Sequence, residues 1–360
     1  MTAPALPNSQ STADPSADLL QWEQFSKLIE DGVLLVDFNQ VVQFVNPSAS
    51  QLFGEELRNR ALSDLFKGIN FDDVFDNIEN RQRPHEFIYE HKKTVRRQFR
   101  IKMMAVGAHH VGVLVMDMTL QRNLDKVRRD FVANVSHELR SPLTSLIGFI
   151  ETLRETDDID HASQAHFLAI MDEESKRMTR LIDDLISLSR VEVEEHILPA
   201  EQVHLDEVIT NVVAILSGRA QKREMTISFD NQIADNASQS QIQGERDEIV
   251  EVFHNLIENA IKYGFDQSAI DISLKNDDAH HVVCEVTNKG EGIEARHIPR
   301  LTERFYRVDK ARSRQQGGTG LGLAIVKHIV NRHRGQLTIS SIVGESTTFT
   351  VKFPILKKTK

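Results

Sequence analysis

The chain has 360 residues, which exceeds one ordinary hydrophobic core and predicts two or three domains. Its 43 Lys and Arg residues against 53 Asp and Glu residues give a net charge of −10, which argues against bulk nucleic acid or an anionic membrane as the main partner. The single cysteine excludes a disulfide framework within the chain and a multi-cysteine metal site. No apolar run approaches the ~18 residues of a spanning helix, so we expect a soluble, cytoplasmic protein.

Residues 1–18 are rich in Ala, Pro, Ser, Thr and Asp and contain no aromatic residue, which predicts a disordered leader. Residues 19–118 contain short apolar runs bounded by turn residues, and a helix is expected to begin at Asn46 and Pro47. This pattern predicts a small mixed α/β domain with an open sheet. Its expected strands are Gly32–Asp37, 41–45, 86–89, 96–104 and 111–116.

Residues 119–198 have the periodicity of two long helices. No proline occurs from 143 to 198, and apolar residues recur at gaps of three and four, which gives each helix one apolar stripe. Two antiparallel helices cannot close a core alone, so two copies are expected to form a four-helix bundle in a homodimer. The stripes are Leu124, Val127, Phe131, Val135, Leu139, Leu146, Ile150 and Leu153, then Phe167, Ile170, Met171, Met178, Leu181, Ile182, Leu185 and Leu188.

Residues 199–360 combine three predicted helices with five predicted strands. Helices and strands would form separate layers, so the segment is expected to be a two-layer α/β sandwich. The whole chain is therefore predicted to be a multidomain α+β protein. The helices are expected at 205–222, 247–263 and 321–333, and the strands at 225–229, 269–275, 282–287, 336–341 and 347–353.

The segment 136–143, Ser-His-Glu-Leu-Arg-Ser-Pro-Leu, carries the first candidate chemistry. His137 lies off the apolar stripe of its helix, so its imidazole should face outward, next to the carboxylate of Glu138. Pro142 removes one helical hydrogen bond and is expected to bend the helix. An exposed imidazole beside a carboxylate can act as a nucleophile, because the carboxylate takes the proton from one ring nitrogen while the other attacks.

The segment 255–263 contains the second group of residues with candidate chemistry. Asn255 and Asn259 are four residues apart and share one helix face, and Lys262 lies one turn further along. Two amide oxygens and a lysine suit a hydrated Mg²⁺ ion that carries phosphates, because Mg²⁺ keeps most of its water and needs few protein ligands.

The glycines of the C-terminal segment are the third group of residues with candidate chemistry. Gly290 and Gly292 follow a predicted strand, and 317–322, Gly-Gly-Thr-Gly-Leu-Gly, precedes a helix. Glycines before a helix N-terminus let backbone N–H groups approach a phosphate. The segment is not a Walker A loop, because no Gly-Lys-Ser/Thr follows, and no βαβ unit surrounds it as a dinucleotide fold requires.

In this order, these segments resemble the sensor histidine kinases of two-component signalling. The segment 136–143 resembles their phospho-acceptor box, 255–263 their N box, 288–293 and 318–323 their two glycine boxes, and 303–309 their F box. Residues 19–118 resemble a PAS sensor domain, which Asp117-Met118-Thr119 would end. The family is expected to have a Bergerat-type ATPase fold in the C-terminal domain, and within it the chain is most similar to the phosphate-regulon sensors.

The resemblance implies that His137 accepts the γ-phosphoryl group of ATP, with Glu138 as general base, and passes it to an aspartate of a separate response regulator. Ser141 stands where many of these kinases have Thr or Asn to orient a water for dephosphorylation of the regulator. Asn259, with Asn255, would hold Mg²⁺. The residues that it implies in nucleotide binding are Asn255, Asn259, Lys262, Tyr263, Asn288, Gly290, Gly292, Arg307, Gly318, Gly320, Leu321, Gly322 and Thr348.

Two departures from the family pattern lie in the first glycine box. Asn288 stands where an Asp usually accepts a hydrogen bond from the adenine amino group, and Glu291 replaces a Pro. An amide oxygen can still accept that bond, but the amide NH₂ group also needs a partner. We therefore expect altered affinity or looser selectivity for the base.

Three alternatives remain open from the sequence. The chain could be another ATPase of the same nucleotide fold, such as a chaperone or topoisomerase subunit, although the segment 136–143 argues against it. It could be a catalytically impaired nucleotide-binding scaffold, because of Asn288, or a phosphatase-dominant regulator. The sequence names neither the signal nor a ligand of the PAS-like domain. Cys284 is expected to be a small buried residue at a strand centre.

Overall fold

The computed structural model describes residues 24–54, 56–81, 83–92, 96–107, 109–155, 159–233, 240–278, 280–309 and 318–356. The predicted leader at 1–18 lies outside the described residues. The chain divides into two compact units, Met1–Asp130 and Phe131–Lys360.

The first unit is built on a five-stranded antiparallel sheet of order β2-β1-β5-β4-β3. Its strands are β1 (Gly32–Asp37), β2 (Val42–Val45), β3 (His85–Lys92), β4 (Arg96–Val106) and β5 (His110–Asp117). Three helices lie between β2 and β3, namely α1 (Pro47–Phe53), α2 (Leu62–Leu65) and α3 (Phe71–Arg81).

Aromatic side chains fill much of the core of this unit. Phe66 and Phe99 are fully buried, and the ring of Phe53 packs against both at centroid distances of 5.3 and 5.2 Å. Asn46 is also fully buried. Its Oδ1 accepts bonds of 2.9 Å from the N–H groups of Val33 and Ala49, which caps α1 and ties it to β1.

The long helix α4 (Thr119–Glu155) begins directly after β5. The carboxylate of Asp117 accepts a 2.9 Å bond from the N–H of Thr119, and the hydroxyl of Thr119 accepts a 3.0 Å bond from the N–H of Gln98 on β4. These two bonds satisfy donors where the sheet passes into the helix. The helix continues through Pro142 without a break.

The second unit contains most of α4, followed by α5 (His161–Glu194), which Asp160 caps through a 2.9 Å bond from the N–H of Ser163. The remaining helices are α6 (Leu205–Gln221), α7 (Arg246–Tyr263) and α8 (Gly322–Arg332), with a 3₁₀ turn at Ile298–Arg300. The strands are β6 (Gln202–His204), β7 (Thr226–Asn231), β8 (Gln241–Gln243), β9 (Ala269–Asp278), β10 (His281–Lys289), β11 (Gln336–Ile342) and β12 (Ser346–Pro354).

The main sheet of this unit has the order β11-β12-β10-β9-β7 and is antiparallel except for the β7–β9 pair. α6, α7 and α8 pack on it and share one buried core, in which Cys284 is 1% exposed, as expected. Every predicted helix and strand of this segment is present, with ends shifted by three residues at most. The short β6–β8 pair was not predicted, because three residues are too few to show an alternating pattern.

Candidate nucleotide site

A cavity of about 410 Å³ lies in the second unit against the polar face of α7. The wall is completed by the end of β10, the segment after it, the first half of β12, the start of α8 and one face of α5. Its lining residues are Arg180, Asp184, Glu251, His254, Asn255, Glu258, Asn259, Lys262, Tyr263, Asn288, Glu291, Gly292, Ile293, Leu301, Tyr306, Arg307, Val308, Asp309, Gly318, Thr319, Gly320, Gly322, Leu323, Thr347 and Phe349.

The amphipathic pattern of α7 turns its polar residues toward this cavity. Val252 and Leu256 face the core and are fully buried, whereas Asn255, Asn259 and Lys262 line the cavity. Asn255 donates a 3.0 Å bond from Nδ2 to the carbonyl of Glu251, and this bond fixes its side chain.

Gly322, at the start of α8, allows the close approach of Asn255. A Cβ at this position would lie 2.5 Å from the Oδ1 atom of Asn255. The glycine therefore brings the N-terminus of α8 against the polar face of α7, where the helix dipole favours an anion.

A salt bridge of 3.1 Å joins Lys262 to Glu258. Burial raises the pKa of Glu258, but the charges of Lys262 and Arg219 outweigh it, so the pKa lies below its ordinary value. Glu258 is therefore ionised at neutral pH.

The β11–β12 turn holds the segment after β10. A Cβ at Gly292 would clash with the carbonyl oxygen of Ile342, and the φ of Gly292, 69°, is left-handed, so only glycine fits. The N–H of Ile293 donates a 2.9 Å bond to Oγ of Ser341. Ser341 was not singled out from the sequence, yet its hydroxyl fixes the wall of the cavity.

On the other side of the cavity, the segment that contains Phe305 meets the segment that contains Gly320. The N–H of Phe305 donates a 2.8 Å bond to the carbonyl of Gly320. Both residues have a positive φ, 63° for Phe305 and 77° for Gly320. A Cβ at Gly320 would lie 3.0 Å from the backbone of Phe305, so a larger residue would separate the two segments.

His137 is exposed on α4, and the next residue reaches the edge of the cavity. Glu138 accepts a 3.0 Å bond from Arg177 of α5 and lies 3.4 Å from Nη2 of Arg307. Arg307 lines the cavity and its side chain is only 6% exposed. The carboxylate next to the candidate phospho-acceptor therefore contacts a cation of the candidate nucleotide site.

α5 also supplies cavity residues that sequence reasoning missed. The hydroxyl of Thr319 donates a 2.6 Å bond to Asp184, and Ser187 donates to Glu251 at 2.7 Å. Burial raises the pKa of both Asp184 and Glu251. Arg180, one turn before Asp184, lines the cavity too. No local sequence pattern predicted these residues, because their place in the cavity depends on the contact between α5 and the rest of the second unit.

Three residues predicted to bind nucleotide do not line the cavity, and the backbone explains where each of them lies instead. Thr348 faces the other side of the sheet, where its hydroxyl pairs with Thr287 at 2.9 Å, and its neighbour Thr347 lines the cavity instead. Gly290 bridges to Gly264, and a Cβ there would lie 2.6 Å from the carbonyl of Tyr263.

Leu321 is the third predicted nucleotide-binding residue that does not line the cavity. Its side chain is fully buried, and its N–H donates to the hydroxyl of Thr319 at 3.2 Å. Leu321 therefore supports the segment that borders the cavity. Ser141 is exposed on α4, one turn after His137.

The donor set of the cavity fits a magnesium nucleotide. Asn255 and Asn259 offer amide oxygens, and Asp184 and Glu251 offer carboxylates, all of them the hard oxygen ligands that Mg²⁺ prefers. Arg180, Lys262 and Arg307 supply positive charge for phosphates. This arrangement can bind a polyphosphate with its metal.

Three family models match the chain. Residues 21–85 match the PAS domain, residues 127–194 the His Kinase A (phospho-acceptor) domain, and residues 244–357 the histidine kinase-, DNA gyrase B- and HSP90-like ATPase.

Two curated relatives extend these matches over nearly the whole chain. The phosphate regulon sensor protein PhoR of Pseudomonas aeruginosa is 34% identical over 336 residues, which are 92% of this chain and 73% of PhoR. The sensor protein kinase WalK of Staphylococcus haemolyticus is 31% identical over 333 residues, or 91% of this chain, which spans only about half, 54%, of that relative.

A solved structure shares the fold. The crystal structure of histidine kinase ThkA in complex with response regulator protein TrrA covers 94% of this chain and 99% of the matched chain, with a TM-score of 0.52 and 21% identity. Within the described residues, no helix is both long and apolar enough to cross a membrane.

A phospho-acceptor hairpin joined to an ATPase domain defines a histidine kinase. The chain belongs to the sensor histidine kinases, and it is an ATP-dependent histidine kinase with PAS, phospho-acceptor and ATPase domains. The predicted multidomain α+β fold class is confirmed.

Proposed function

We propose that this kinase phosphorylates its own His137 from Mg-ATP bound in the cavity of the second unit, and then transfers the phosphoryl group to an aspartate of a separate response regulator. The observation that carries the proposal is the contact between Glu138, the neighbour of His137, and Arg307 of the cavity wall. The contact supports an acceptor histidine beside the triphosphate.

Each residue contributes positioning or charge. One ring nitrogen of His137 forms the bond to the γ-phosphorus as the bond to the ADP oxygen breaks, and Glu138 accepts the proton that the other ring nitrogen releases. Lys262 and Arg307 neutralise phosphate charge, because phosphoryl transfer depends on positioning and electrostatic stabilisation more than on covalent chemistry.

The metal is expected at the amide face of α7. Asn259 and Asn255 would hold Mg²⁺, which would neutralise the oxygens of the phosphates. Tyr263, at the end of α7 and lining the cavity, would lie beside the nucleotide.

A homodimer is the expected assembly. The hairpin leaves apolar side chains exposed on both helices, which a second copy would cover in a four-helix bundle. These residues include Leu143, Ile147 and Ile150 on α4 and Leu168, Ile182 and Ile186 on α5. The structural relative ThkA was crystallised with a response regulator protein, which supports a receiver domain as the partner here.

The test is incubation of the full chain with γ-labelled ATP and Mg²⁺, beside His137→Gln as the matched variant. We expect label on the wild type alone, lost in acid and kept in base, as for a phosphohistidine. A folded wild type that binds ATP without becoming labelled would favour a nucleotide-binding scaffold instead.

We also propose a phosphatase activity toward the same regulator. Ser141 supports it, because its hydroxyl is exposed one helical turn after His137 and can orient a water. A second arm of the experiment supplies phosphorylated regulator, and the phosphate should then be lost faster with the kinase than without it.

A further inference from the structure

The cavity has two chemically different ends. One end is charged, with the cations Arg180, Lys262 and Arg307 beside the amides of α7 and the carboxylates of Asp184, Glu251 and Glu258. The residues that the sheet contributes to the other end, Asn288 and its neighbours on β12, are uncharged. A triphosphate with its Mg²⁺ ion fits the charged end, so we expect the nucleobase to lie against the sheet.

The polar groups that the sheet contributes to the cavity lining are one amide and one hydroxyl. Asn288 is 3% exposed at the end of β10, and Thr347 is 6% exposed on β12. The two residues are directly opposite each other in the antiparallel ladder, so their side chains are neighbours on the cavity face.

We propose that this pocket accepts guanine as well as adenine, with Asn288 as the residue that sets the selectivity, so that GTP is a second phosphoryl donor. The proposal rests on the proposed function. Its chemical basis is that both polar groups can either donate or accept a hydrogen bond.

An ionised carboxylate at position 288 could only accept a hydrogen bond, which suits the amino group of adenine and repels the O6 oxygen of guanine. The amide of Asn288 can present Oδ1 to the amino group of adenine, or turn over and present Nδ2 to O6 of guanine. Its present bond, from Nδ2 to the carbonyl of Lys289, is 3.4 Å long and therefore weak. Turning the amide of Asn288 therefore sacrifices only this weak hydrogen bond.

The hydroxyl of Thr347 has the same freedom because it is paired with another hydroxyl. Thr347 and Ser341 lie 2.8 Å apart with either oxygen able to donate. When Ser341 donates to the carbonyl of Ser346, at 2.8 Å, Thr347 donates to Ser341 and offers a lone pair, which suits the N1–H of guanine. When Ser341 donates to Thr347, the Thr347 hydrogen is available for N1 of adenine.

The test compares γ-labelled ATP and γ-labelled GTP as donors to the full chain, as the ratio of their kcat/KM values. The variant is Asn288→Asp, and the control is Asn231→Asp on edge strand β7 of the same sheet, outside the cavity lining. Asn231 accepts a 3.2 Å bond from the N–H of Ile233 through Oδ1, which an aspartate would keep. The control thus adds the same charge without disturbing the pocket.

We expect the wild type to use GTP within about tenfold of ATP, because both bases find partners for their polar edges. Asn288→Asp should move the ratio toward ATP by at least about tenfold, since the carboxylate leaves O6 of guanine facing an acceptor. Asn231→Asp should leave the ratio unchanged.

Labelling from ATP alone, with GTP more than about a hundredfold poorer in wild type and Asn288→Asp alike, would overturn the inference and leave the histidine kinase function intact. The ratio in the wild type can be measured even if the variant does not fold. If neither nucleotide labels His137, the proposed function fails. Equilibrium binding of non-hydrolysable ATP and GTP analogues then decides the inference: comparable affinities support it, and binding of the ATP analogue alone refutes it.

Discussion

The carboxylate of Glu138 is shared between two arginines from different elements of the second unit. Arg177 of α5 lies 3.0 Å away and Arg307 of the cavity wall 3.4 Å away. The Glu138 side chain is 24% exposed, so these charges are only partly screened. One arginine orients the carboxylate, and the other lies where phosphate charge is expected.

Glu138→Gln should separate proton handling from nucleotide binding. The amide keeps the size of the side chain but cannot take a proton, so phosphohistidine formation at saturating ATP should slow by roughly 10²- to 10⁴-fold. Affinity for ATP should rise no more than about fivefold, because a partly exposed ion pair with Arg307 contributes ~0.2–1 kcal/mol. Single-turnover labelling and equilibrium ATP binding measure the two effects.

Glu174→Gln is the control for this change. Glu174 also pairs with Arg177, at 3.4 Å, but it lies on α5 and is not adjacent to His137 in the chain. Its labelling rate should stay near that of the wild type. Equal slowing in both variants would mean that the charge around Arg177, rather than proton transfer to Glu138, limits the reaction.

At the scale of secondary-structure elements, a neutral histidine joins two helix ends of the ATPase domain. His333 follows α8, where its Nδ1 bonds to the carbonyl of Ile329 at 2.8 Å. Its Nε2 accepts a 3.0 Å bond from the N–H of Glu245, the residue before α7. Both contacts require the neutral ring with the proton on Nδ1.

Burial lowers the pKa of His333 to about 4, against an ordinary value of 6.5. The unfolded chain therefore takes up this proton at higher pH than the folded chain, and stability should fall as the pH drops from 6.5 toward 4. The loss attributable to His333 should reach up to about 3 kcal/mol. Denaturant unfolding at several pH values, compared with His333→Gln, measures it.

His333→Gln should be less stable at pH 7 yet show a shallower decline, because no ring remains to titrate. His161→Gln, at the exposed first residue of α5, should keep the pH dependence of the wild type. If His333→Gln declined as steeply as the wild type, other groups would carry the effect.

At the scale of the whole molecule, the two compact units have separate hydrophobic cores. No buried residue belongs to both clusters among those that the structure describes. Because each unit has its own core, we expect the two units to unfold in separate cooperative transitions. Only the second unit contains the nucleotide cavity, so a ligand should stabilise that unit alone.

Calorimetry of the full chain should therefore show two transitions. Mg-ATP at 100 times its Kd should raise one of them by about 5–10 °C, because such binding adds ~2.7 kcal/mol. Leu34→Ala and Ile257→Ala, both at fully buried positions, should each lower a different transition through a loss of about 2–5 kcal/mol. A single transition that moved as a whole in every case would show that the two units unfold together.

The sequence determined the elements and the chemistry of the site because both are local. A short apolar run bounded by Gly and Asp placed β1 at Gly32–Asp37, and the four-residue spacing put Asn255 and Asn259 on one helix face. Asn288 was expected in the nucleotide pocket because its segment resembles a glycine box, and the structure places it in the cavity lining.

Only the tertiary structure decided the registers and the contacts between distant segments. Thr347 rather than Thr348 lines the cavity, because the pairing of β12 with β10 fixes which residues face α7. Arg180 and Asp184 belong to the site because α5 packs against the ATPase domain, and Arg177 reaches Glu138 across the hairpin. Such contacts join residues tens of positions apart, and periodicity along the chain carries no information about which surfaces meet.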